Sequence, residues 1–315
     1  MNAFRYRAVL GAVLGLSLMA SACGSGGGGS PSGGGPVASQ MTLGGPPECP
    51  KRPFCQAGLE KTYGIKFKAF KALDAGGPLS KNALKRGDVD IALIFSSDGA
   101  IKANDFVVLQ DDKHLQNADN VVPVIRTQAA SDEVTSTLNS ISSKLSTADL
   151  VDMNKKADID KQDPDQLAST WLKGHGFSTG ATGGAKGPIT VAGFNFSESS
   201  ILANIYGKAL ESKGYKVNLK LNLGNREIVE PALEKGEVDL YPGYAATELE
   251  FINKSKGEAT PEAKATVDKL NGYLQAKGLK ALDPSSAVDA NAFCVTKATA
   301  DKYKLSKLSD LAKSS

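Results

Sequence analysis

The sequence predicts an α/β protein with two similar lobes, and two observations support that fold class. First, one phrase occurs twice: residues 83–91 are ALKRGDVDI and residues 232–240 are ALEKGEVDL. Each copy is typical of a helix end, a glycine stop and a strand that opens with an acidic residue. Second, residues 189–239 alternate between strand and helix patterns, which is typical of a largely parallel sheet covered by helices. The repeat then indicates two such units.

The N-terminal residues follow the order of a bacterial export signal. Two arginines precede an apolar run at 8–20, which is shorter than the ~20 apolar residues that a membrane-spanning helix needs. Small residues then lead to Cys23 in Ala-Ser-Ala-Cys, which resembles a lipobox. We therefore predict that residues 1–22 are a signal peptide and that Cys23 carries a lipid. An ordinary signal peptide cut at Ala22 is the alternative.

Residues 23–40 consist almost entirely of Gly, Ser, Pro and other small residues. Such a segment buries too little apolar surface to offset the entropy lost on ordering, so we predict a disordered tether. Over the whole chain, 41% of residues are hydrophobic and the net charge is +3, with acidic and basic residues interspersed. This is the composition of a globular protein, and it argues against a nucleic-acid partner.

The sequence lacks the motifs of the common enzyme classes. It has only two histidines, and it contains neither a Gly-x-Ser-x-Gly elbow nor a Walker-type phosphate loop. It also lacks paired residues with the spacing of metal ligands. We therefore expect a protein that is not an enzyme and that has no catalytic residue, cofactor or metal.

Three cysteines follow Cys23 in the chain. Cys49 and Cys55 enclose a short proline-rich loop, and in an oxidising compartment we predict a disulfide between them. So small a loop contributes roughly 2 kcal/mol to stability, and its main effect would be to stiffen the loop. Cys294 lies among apolar residues and is predicted to be a buried strand thiol.

The other elements are predicted from hydrophobic periodicity and capping residues. In the second half of the chain they are a strand at 189–193, a helix at 198–213 with Ser197 as N-cap, a strand at 217–223, and a helix at 226–235 with Asn225 as N-cap. In the first half they are helices at 138–155 and at 164–173, the latter with Asp163 as cap. Residues 174–186 are rich in Gly, Ser and Thr and indicate a linker.

Three segments of the chain resemble one protein family. Residues 189–250, which include VAGFNFSE, LGNRE and VDLYPGYAAT, resemble the opening half of the osmoprotectant (glycine betaine and choline) binding proteins of ABC importers. Residues 289–311 resemble the part that follows, and residues 41–177 resemble the closing half. Because the closing half comes first, we predict a circular permutation, with the family's usual termini joined through residues 178–187. A misassembled gene is the alternative.

The resemblance implies a type II periplasmic-binding-protein fold, in which two α/β lobes joined by two crossovers close on a ligand. Lobe II is predicted to comprise residues 41–104 and 284–315, and lobe I residues 105–283. The resemblance also implies a monomeric lipoprotein, anchored to the outer face of the cell membrane, that delivers a small solute of the glycine betaine and choline class to an ABC importer permease. A sensory surface lipoprotein that serves no permease is the alternative.

The resemblance also suggests ligand contacts. Tyr244 and Thr247 fall at positions where the family's Tyr and Thr line the pocket, and Arg52 falls near an Arg that grips the ligand's carboxylate. The remaining candidates stand where this chain departs from the family's residues: Phe194 and Asn195 after the first strand, Phe95 before the Ser-Ser-Asp-Gly turn, Asn291 and Phe293 in place of Asp-Thr-Tyr, and Asp119 near an expected Tyr.

These departures affect the predicted ligand. A quaternary ammonium donates no hydrogen bond, so betaine receptors hold it by cation–π attraction within a cage of aromatic faces. Phe offers a less electron-rich face than Tyr and has no hydroxyl, so the cage predicted here is incomplete. A polyol, a polyphenol or another non-quaternary solute is therefore the alternative ligand. For Phe95 and Phe293 the alternative role is packing in the core.

Overall fold

A computed structural model describes residues 35–117, 119–180 and 186–314. The predicted signal peptide, Cys23 and most of the predicted tether lie outside these residues, as do residues 181–185 of the predicted linker. Within the described ranges, no helix is both long enough and apolar enough to cross a membrane.

Strands and helices alternate along the described part of the chain. The strands are β1 (Thr42–Gly45), β2 (Ala69–Ala72), β3 (Ile91–Phe95), β4 (Phe106–Val108), β5 (Val121–Arg126), β6 (Lys186–Ala192), β7 (Tyr215–Lys220), β8 (Leu240–Tyr244), β9 (Leu279–Ala281) and β10 (Asn291–Thr296). The α-helices are α1 (Gln56–Tyr63), α2 (Pro78–Arg86), α3 (Ala100–Ala103), α4 (Asp132–Ser142), α5 (Thr147–Asp158), α6 (Pro164–Gly174), α7 (Ser197–Glu211), α8 (Arg226–Glu234), α9 (Ala245–Ile252), α10 (Ala263–Leu274) and α11 (Lys297–Tyr303).

The strands form two sheets with the same internal order. In lobe II the order is β2-β1-β3-β10-β4, and in lobe I it is β7-β6-β8-β5-β9. In each sheet the first three strands are parallel, and the fourth runs antiparallel to both of its neighbours. That fourth strand is reached through a crossover from the other lobe. The topology confirms the predicted fold class, two α/β lobes of the type II periplasmic-binding-protein kind.

The central strands are buried on both faces of their sheets. In β3, Ile91 and Leu93 pack into one apolar cluster of lobe II, while Ala92 and Ile94 pack into a second cluster on the opposite face. Successive side chains of a strand point to opposite faces, so an unbroken apolar run fits a sheet covered on both sides. The core of lobe I is a single larger cluster around β5, β6 and β8.

The repeated phrase occupies equivalent positions in the two lobes. In each copy the glycine is left-handed, with φ of 77° and 75°, a conformation that costs glycine little. Three residues after that glycine, an aspartate accepts a hydrogen bond from a neighbouring strand. Asp90 accepts from the backbone N–H of Thr42 in β1 at 2.8 Å, and Asp239 from that of Thr190 in β6 at 2.9 Å. An aspartate therefore ties the start of β3 to β1 in lobe II and the start of β8 to β6 in lobe I.

The predicted helix at 138–155 is wrong, because two helices, α4 and α5, occupy this region. Ser146 and Asp149 form a capping box, in which Ser146 Oγ accepts from Asp149 N–H and the Asp149 carboxylate accepts from Ser146 N–H. This device satisfies the free N–H groups of a helix start, so it begins a new helix. The next helix, α6, has Asp163 at its N-cap as predicted.

The predicted N-cap at Ser197 is also wrong. Helix α7 begins at Ser197, with Phe196 at the N-cap position and no side-chain capping bond. Ser197 Oγ instead donates to Asp158 at 2.6 Å. Asn225 does precede α8, but its side chain makes no capping hydrogen bond. Asn225 thus occupies the predicted N-cap position without making the capping bond, and its buried Oδ1 has no hydrogen-bond partner among the described residues.

The end of the predicted tether is folded into lobe II. Val37 and Ala38 are buried in the cluster around β1. The backbone N–H of Val37 donates to the Lys313 carbonyl at 2.9 Å, and Pro36 forms an antiparallel bridge with Ser314. The tether prediction is therefore wrong at its end, because the apolar residues there are taken up by the core.

Two crossovers join the lobes, and their described residues are 109–117 with 119–120 and 282–290. They are bonded to one another, since the backbone N–H of Asp289 donates to the carbonyl of Asp119 at 3.1 Å and an antiparallel bridge lies beside that bond. Because β4 pairs with β10, it belongs to the sheet of lobe II. The predicted limit of lobe II at residue 104 is therefore too early in the chain.

Candidate ligand site between the lobes

A cavity of about 300 Å³ lies between the lobes. Lobe II contributes the loop between Cys49 and Cys55 and the end of β3, and lobe I contributes the loop after β6 and the starts of α8 and α9. The crossovers contribute Asp119 and Asp289. In open α/β sheets ligands bind at the carboxyl ends of the strands, which is where this cavity lies.

Aromatic rings from both lobes form one wall of the cavity. The ring centroid of Phe196 lies 5.1 Å from that of Phe95, 5.9 Å from that of Phe194 and 6.1 Å from that of Tyr244. Phe95 belongs to lobe II and the other three to lobe I, so the wall crosses the interface. Phe196 was not among the predicted contacts, although it lies in the same phrase as Phe194.

The hydroxyl of Tyr244 is bonded within the protein. It donates to Glu198 Oε1 at 2.7 Å. The other oxygen of that carboxylate accepts from Ser97 Oγ at 2.7 Å and from Asn154 Nδ2 at 2.6 Å. Burial raises the pKa of Glu198, against the effect of these donors. Tyr244 therefore offers its ring to the cavity, while Glu198 connects it to Ser97 of lobe II.

Ser97 also contacts a second buried carboxyl, because its Oγ lies 2.8 Å from Asp289 Oδ1. One hydroxyl proton can serve only one of the two carboxylates. Burial, together with the charge of Glu198, raises the pKa of Asp289 well above its ordinary range. Both contacts are satisfied when Asp289 holds a proton and donates to Ser97, which in turn donates to Glu198.

Asp119 and Thr247 form another bonded pair at the cavity. Thr247 donates from its backbone N–H to Asp119 Oδ1 at 2.9 Å, and from its hydroxyl to Oδ2. Burial raises the pKa of Asp119, against the effect of these bonds. The hydroxyl predicted to contact the ligand is thus directed to Asp119, and the pair brings a carboxylate to the cavity.

Arg52 lies at the edge of the cavity, on the loop that a disulfide between Cys49 and Cys55 closes. Its Nη2 donates to Glu227 Oε1 at 2.7 Å, and its guanidinium carbon lies 5.7 Å from the ring centroid of Phe251. Both partners belong to lobe I. The disulfide loop of lobe II therefore reaches across the cavity edge and holds the other lobe through Arg52.

A second arginine, Arg226, lines the cavity at the start of α8, and sequence reasoning did not select it. Arg226 is only 8% exposed. Its Nε donates to Glu248 Oε2 at 2.8 Å, and its guanidinium carbon lies 5.2 Å from the ring centroid of Phe194. Burial alone would lower the pKa of Arg226, but the charge and hydrogen bond of Glu248 act together with the nearby Tyr241 and Asp119, and the pKa is raised. The cavity therefore contains a buried, charged guanidinium.

Most of the predicted ligand contacts line the cavity, namely Arg52, Phe95, Asp119, Phe194, Asn195, Tyr244, Thr247 and Asn291. Phe293 does not. It is 1% exposed and lies opposite Leu93 in the lobe II core, because it sits two residues deeper in β10 than Asn291. The predicted ligand contact at Phe293 is therefore corrected to core packing.

The free cysteine lies apart from the cavity. Cys294 is buried in β10, and burial raises the pKa of its thiol to about 12. Within residues 35–117, 119–180 and 186–314, no group of three or more His, Cys, Asp or Glu is placed to hold a metal ion. The groups that line the cavity include aromatic rings, two arginines, two exposed lysines and buried carboxyls.

Known proteins resemble this chain at the level of sequence. Residues 34–174 and 187–315 match the family described as the substrate binding domain of ABC-type glycine betaine transport system. A glycine betaine-binding protein of Escherichia coli K12, YehZ, is 29% identical over 136 residues, which are 41% of this chain and 43% of that protein. A carnitine transport binding protein of Listeria monocytogenes, OpuCC, is 29% identical over 129 residues, 39% of this chain and 40% of that protein.

Solved structures resemble the chain more distantly. An ancestral arginine-binding protein bound to arginine has 15% identity and a TM-score of 0.42, covering 88% of this chain and 90% of that one. Apo YehZ from E. coli has 13% identity and a TM-score of 0.34, covering 85% and 84%. The chain spans about two fifths of the length of the curated relatives it matches. Since the family match extends over both lobes, the chain belongs to the substrate-binding domains of ABC-type glycine betaine transport systems.

Proposed function

We propose that the protein is an extracytoplasmic lipoprotein that captures a small osmoprotectant-like solute between its lobes and delivers it to the permease of an ABC importer. The observation that supports this function most directly is the cavity of about 300 Å³ bounded by both lobes, at the lower end of the ~300–1,000 Å³ range of small-molecule sites. Its walls combine apolar rings with a few buried polar groups, which is how such sites orient a ligand.

Closure of the lobes would bury the solute, and several contacts support a closed form. Lys81 of lobe II donates to Asp158 of lobe I at 2.8 Å. Ser97 of lobe II donates to Glu198 of lobe I at 2.7 Å. With the contact between Arg52 and Glu227, these bonds link the lobes around the cavity. Their separation would open the site, and a solute that touches both walls would favour the closed form.

The aromatic wall supports a solute of the glycine betaine and choline class. A cation over an aromatic face gains ~2 kcal/mol or more when water is excluded. One observation favours a second candidate, a solute with hydrogen-bond donors such as a polyol: the buried Asp119 carboxylate lines the cavity. A quaternary ammonium has no N–H or O–H to offer that carboxylate.

The permuted order and the lipid anchor belong to the same proposal. The family matches in two separate segments, 34–174 and 187–315, and the residues about 178–187 would join the family's usual termini. The contact between Pro36 and Ser314 supports this order, because permutation requires that the new ends lie close together in the fold. Cys23 would carry the lipid, and mass spectrometry of the mature protein would detect it.

Isothermal titration tests the proposed function. Glycine betaine, carnitine, choline and a polyol such as sorbitol would each be titrated into the protein, with recovery of the solute afterwards. We expect saturable binding of at least one quaternary ammonium solute and its recovery intact. Binding of the polyol alone would replace the quaternary ammonium class by the donor-bearing class. Chemical conversion of the solute would contradict a binding protein.

A further inference from the structure

Arg226 is the most constrained cation at the cavity. Its guanidinium lies between the ring of Phe194, 5.2 Å away, and the carboxylate of Glu248, which accepts from Nε at 2.8 Å. Glu248 is itself fully buried and also accepts from the Tyr241 hydroxyl at 2.9 Å. The guanidinium is thus held by a ring on one face and a fixed carboxylate at one edge, so its remaining edge has a defined direction.

The two terminal Nη groups of Arg226 are the unsatisfied part of this arrangement. Among the residues that the structure describes, the guanidinium has a hydrogen-bond partner only at Nε. Buried N–H groups ordinarily have partners, and those of a charged group are costly to leave without one. Since Arg226 lines the cavity and is 8% exposed, a ligand group in the cavity is the available partner.

From this geometry we infer that Arg226 anchors a carboxylate of the ligand, an inference that rests on the proposed function. A guanidinium fork matches a carboxylate with two parallel N–H···O bonds, and charged bonds of this kind are about twice as strong as neutral ones. The rest of the solute would lie against the rings of Phe196, Phe95 and Tyr244. The site therefore selects carboxylated solutes over the corresponding alcohols.

The other cations of the cavity do not fill this role. Nη2 of Arg52 is bonded to Glu227 across the cavity edge, so Arg52 acts on closure. Lys51 and Lys254 also line the cavity, but both are exposed and hydrated. Arg226 is the cation whose charge is least screened by water, and a hydrogen bond from it is correspondingly strong.

Glycine betaine and choline test the inference, because they share a trimethylammonium group and differ in carrying a carboxylate or a hydroxyl. In the wild-type protein we expect glycine betaine to bind at least tenfold more tightly than choline. In Arg226→Lys the affinity for glycine betaine should fall at least tenfold, while that for choline changes less than threefold. Titration calorimetry measures both, and the melting temperature reports folding.

A double variant covers the case in which Arg226→Lys fails to fold. Arg226→Met with Glu248→Met removes both charges, so neither is left buried without its partner, and it should lose glycine betaine selectivity. As a matched control, Arg52→Lys should weaken both solutes by the same factor. Equal losses for both solutes in Arg226→Lys would overturn the carboxylate anchor alone. A wild-type protein that binds neither of these solutes nor the polyol would overturn the proposed function with it.

Discussion

The two lobes share one sheet topology but contribute different side chains to the cavity between them. Lobe II offers a disulfide-closed loop carrying Arg52, and the rings of Phe54 and Phe95. Lobe I offers the rings of Phe194, Phe196, Tyr244 and Phe251. It also holds a buried network in which the Tyr241 hydroxyl lies 2.8 Å from a carboxyl oxygen of Glu230 and 2.9 Å from one of Glu248. From this difference we predict a division of work, with recognition in lobe I and closure in lobe II.

The largest expected effect is a loss of stability on displacing the disulfide loop of lobe II. A Cβ at Gly58 would lie 1.7 Å from the carbonyl oxygen of Pro53, so Gly58→Ala must shift the backbone of the disulfide loop. We expect a loss of about 3 kcal/mol, at the upper end of overpacking effects, in urea unfolding. Gly272→Ala in α10 is the control, because its Cβ meets nothing, and it should gain about 0.5–1 kcal/mol. Equal stability of the two variants would contradict the close approach.

The next effect compares the rings of the two lobes. Tyr244→Ala should weaken binding of the recognised solute at least tenfold, or about 1.4 kcal/mol, because it removes a ring from the recognition lobe. Phe95→Ala should cost less, because Phe54 still supplies a ring to the cavity from lobe II. Tyr244→Phe should keep affinity but lower stability by about 1–3 kcal/mol, because Glu198 loses a donor. Calorimetry and urea unfolding measure these effects, and a larger loss in Phe95→Ala would reverse the division of work.

A smaller effect concerns the charge network of lobe I. Burial, with the nearby charge of Glu248, raises the pKa of Glu230 from 4.5 to about 8. Between these pH values the folded protein holds a proton that the unfolded chain has released, so this contribution to stability falls as pH rises and levels off above about 8. In Glu230→Gln the melting temperature should fall less steeply between pH 5 and 8. Parallel curves for the two proteins would exclude Glu230 as a source of the pH dependence.

The smallest expected effect is the change in solute affinity when the segments are rearranged into the family's usual order. A gene that encodes residues 187–314, a two-residue Asn-Gly loop and then residues 36–177 connects Ser314 to Pro36. These residues already form an antiparallel bridge, so a short hairpin loop suffices to join them, and lobe I is then no longer continuous. Solute affinity should stay within about twofold, a change of about 0.4 kcal/mol. Loss of folding in this chain, under conditions where the natural order folds, would contradict the permutation.

The repeated unit could be predicted because its signals are local. Glycine at a helix end and aspartate at a strand start depend on neighbours a few residues away, so Gly87 and Asp90 were placed correctly from sequence. The end of β10 was harder. Alternation showed which residues share a face of the strand, but it did not show how deep Phe293 lies.

The contacts that complete the site could not be predicted, because their partners are distant in the chain. Arg52 and Glu227 are separated by 175 residues, and the loop gave no indication of that partner. Arg226 follows a capping-type residue at a helix start, where an exposed charge is common. Only the packing of α8 on Phe194 and Glu248 buries it, and burial is what turns a surface arginine into a binding group.

The hydrogen-bonded crossovers place part of the candidate ligand site at the hinge between the lobes. Asp119 and Asp289 line the cavity, and the backbone hydrogen bond between them joins the two crossovers about which the lobes would turn. A solute that contacts these crossovers lies close to the hinge. A small displacement there would therefore produce a larger displacement at the edges of the lobes far from the hinge. The angle between the lobes would then depend on the solute that they enclose.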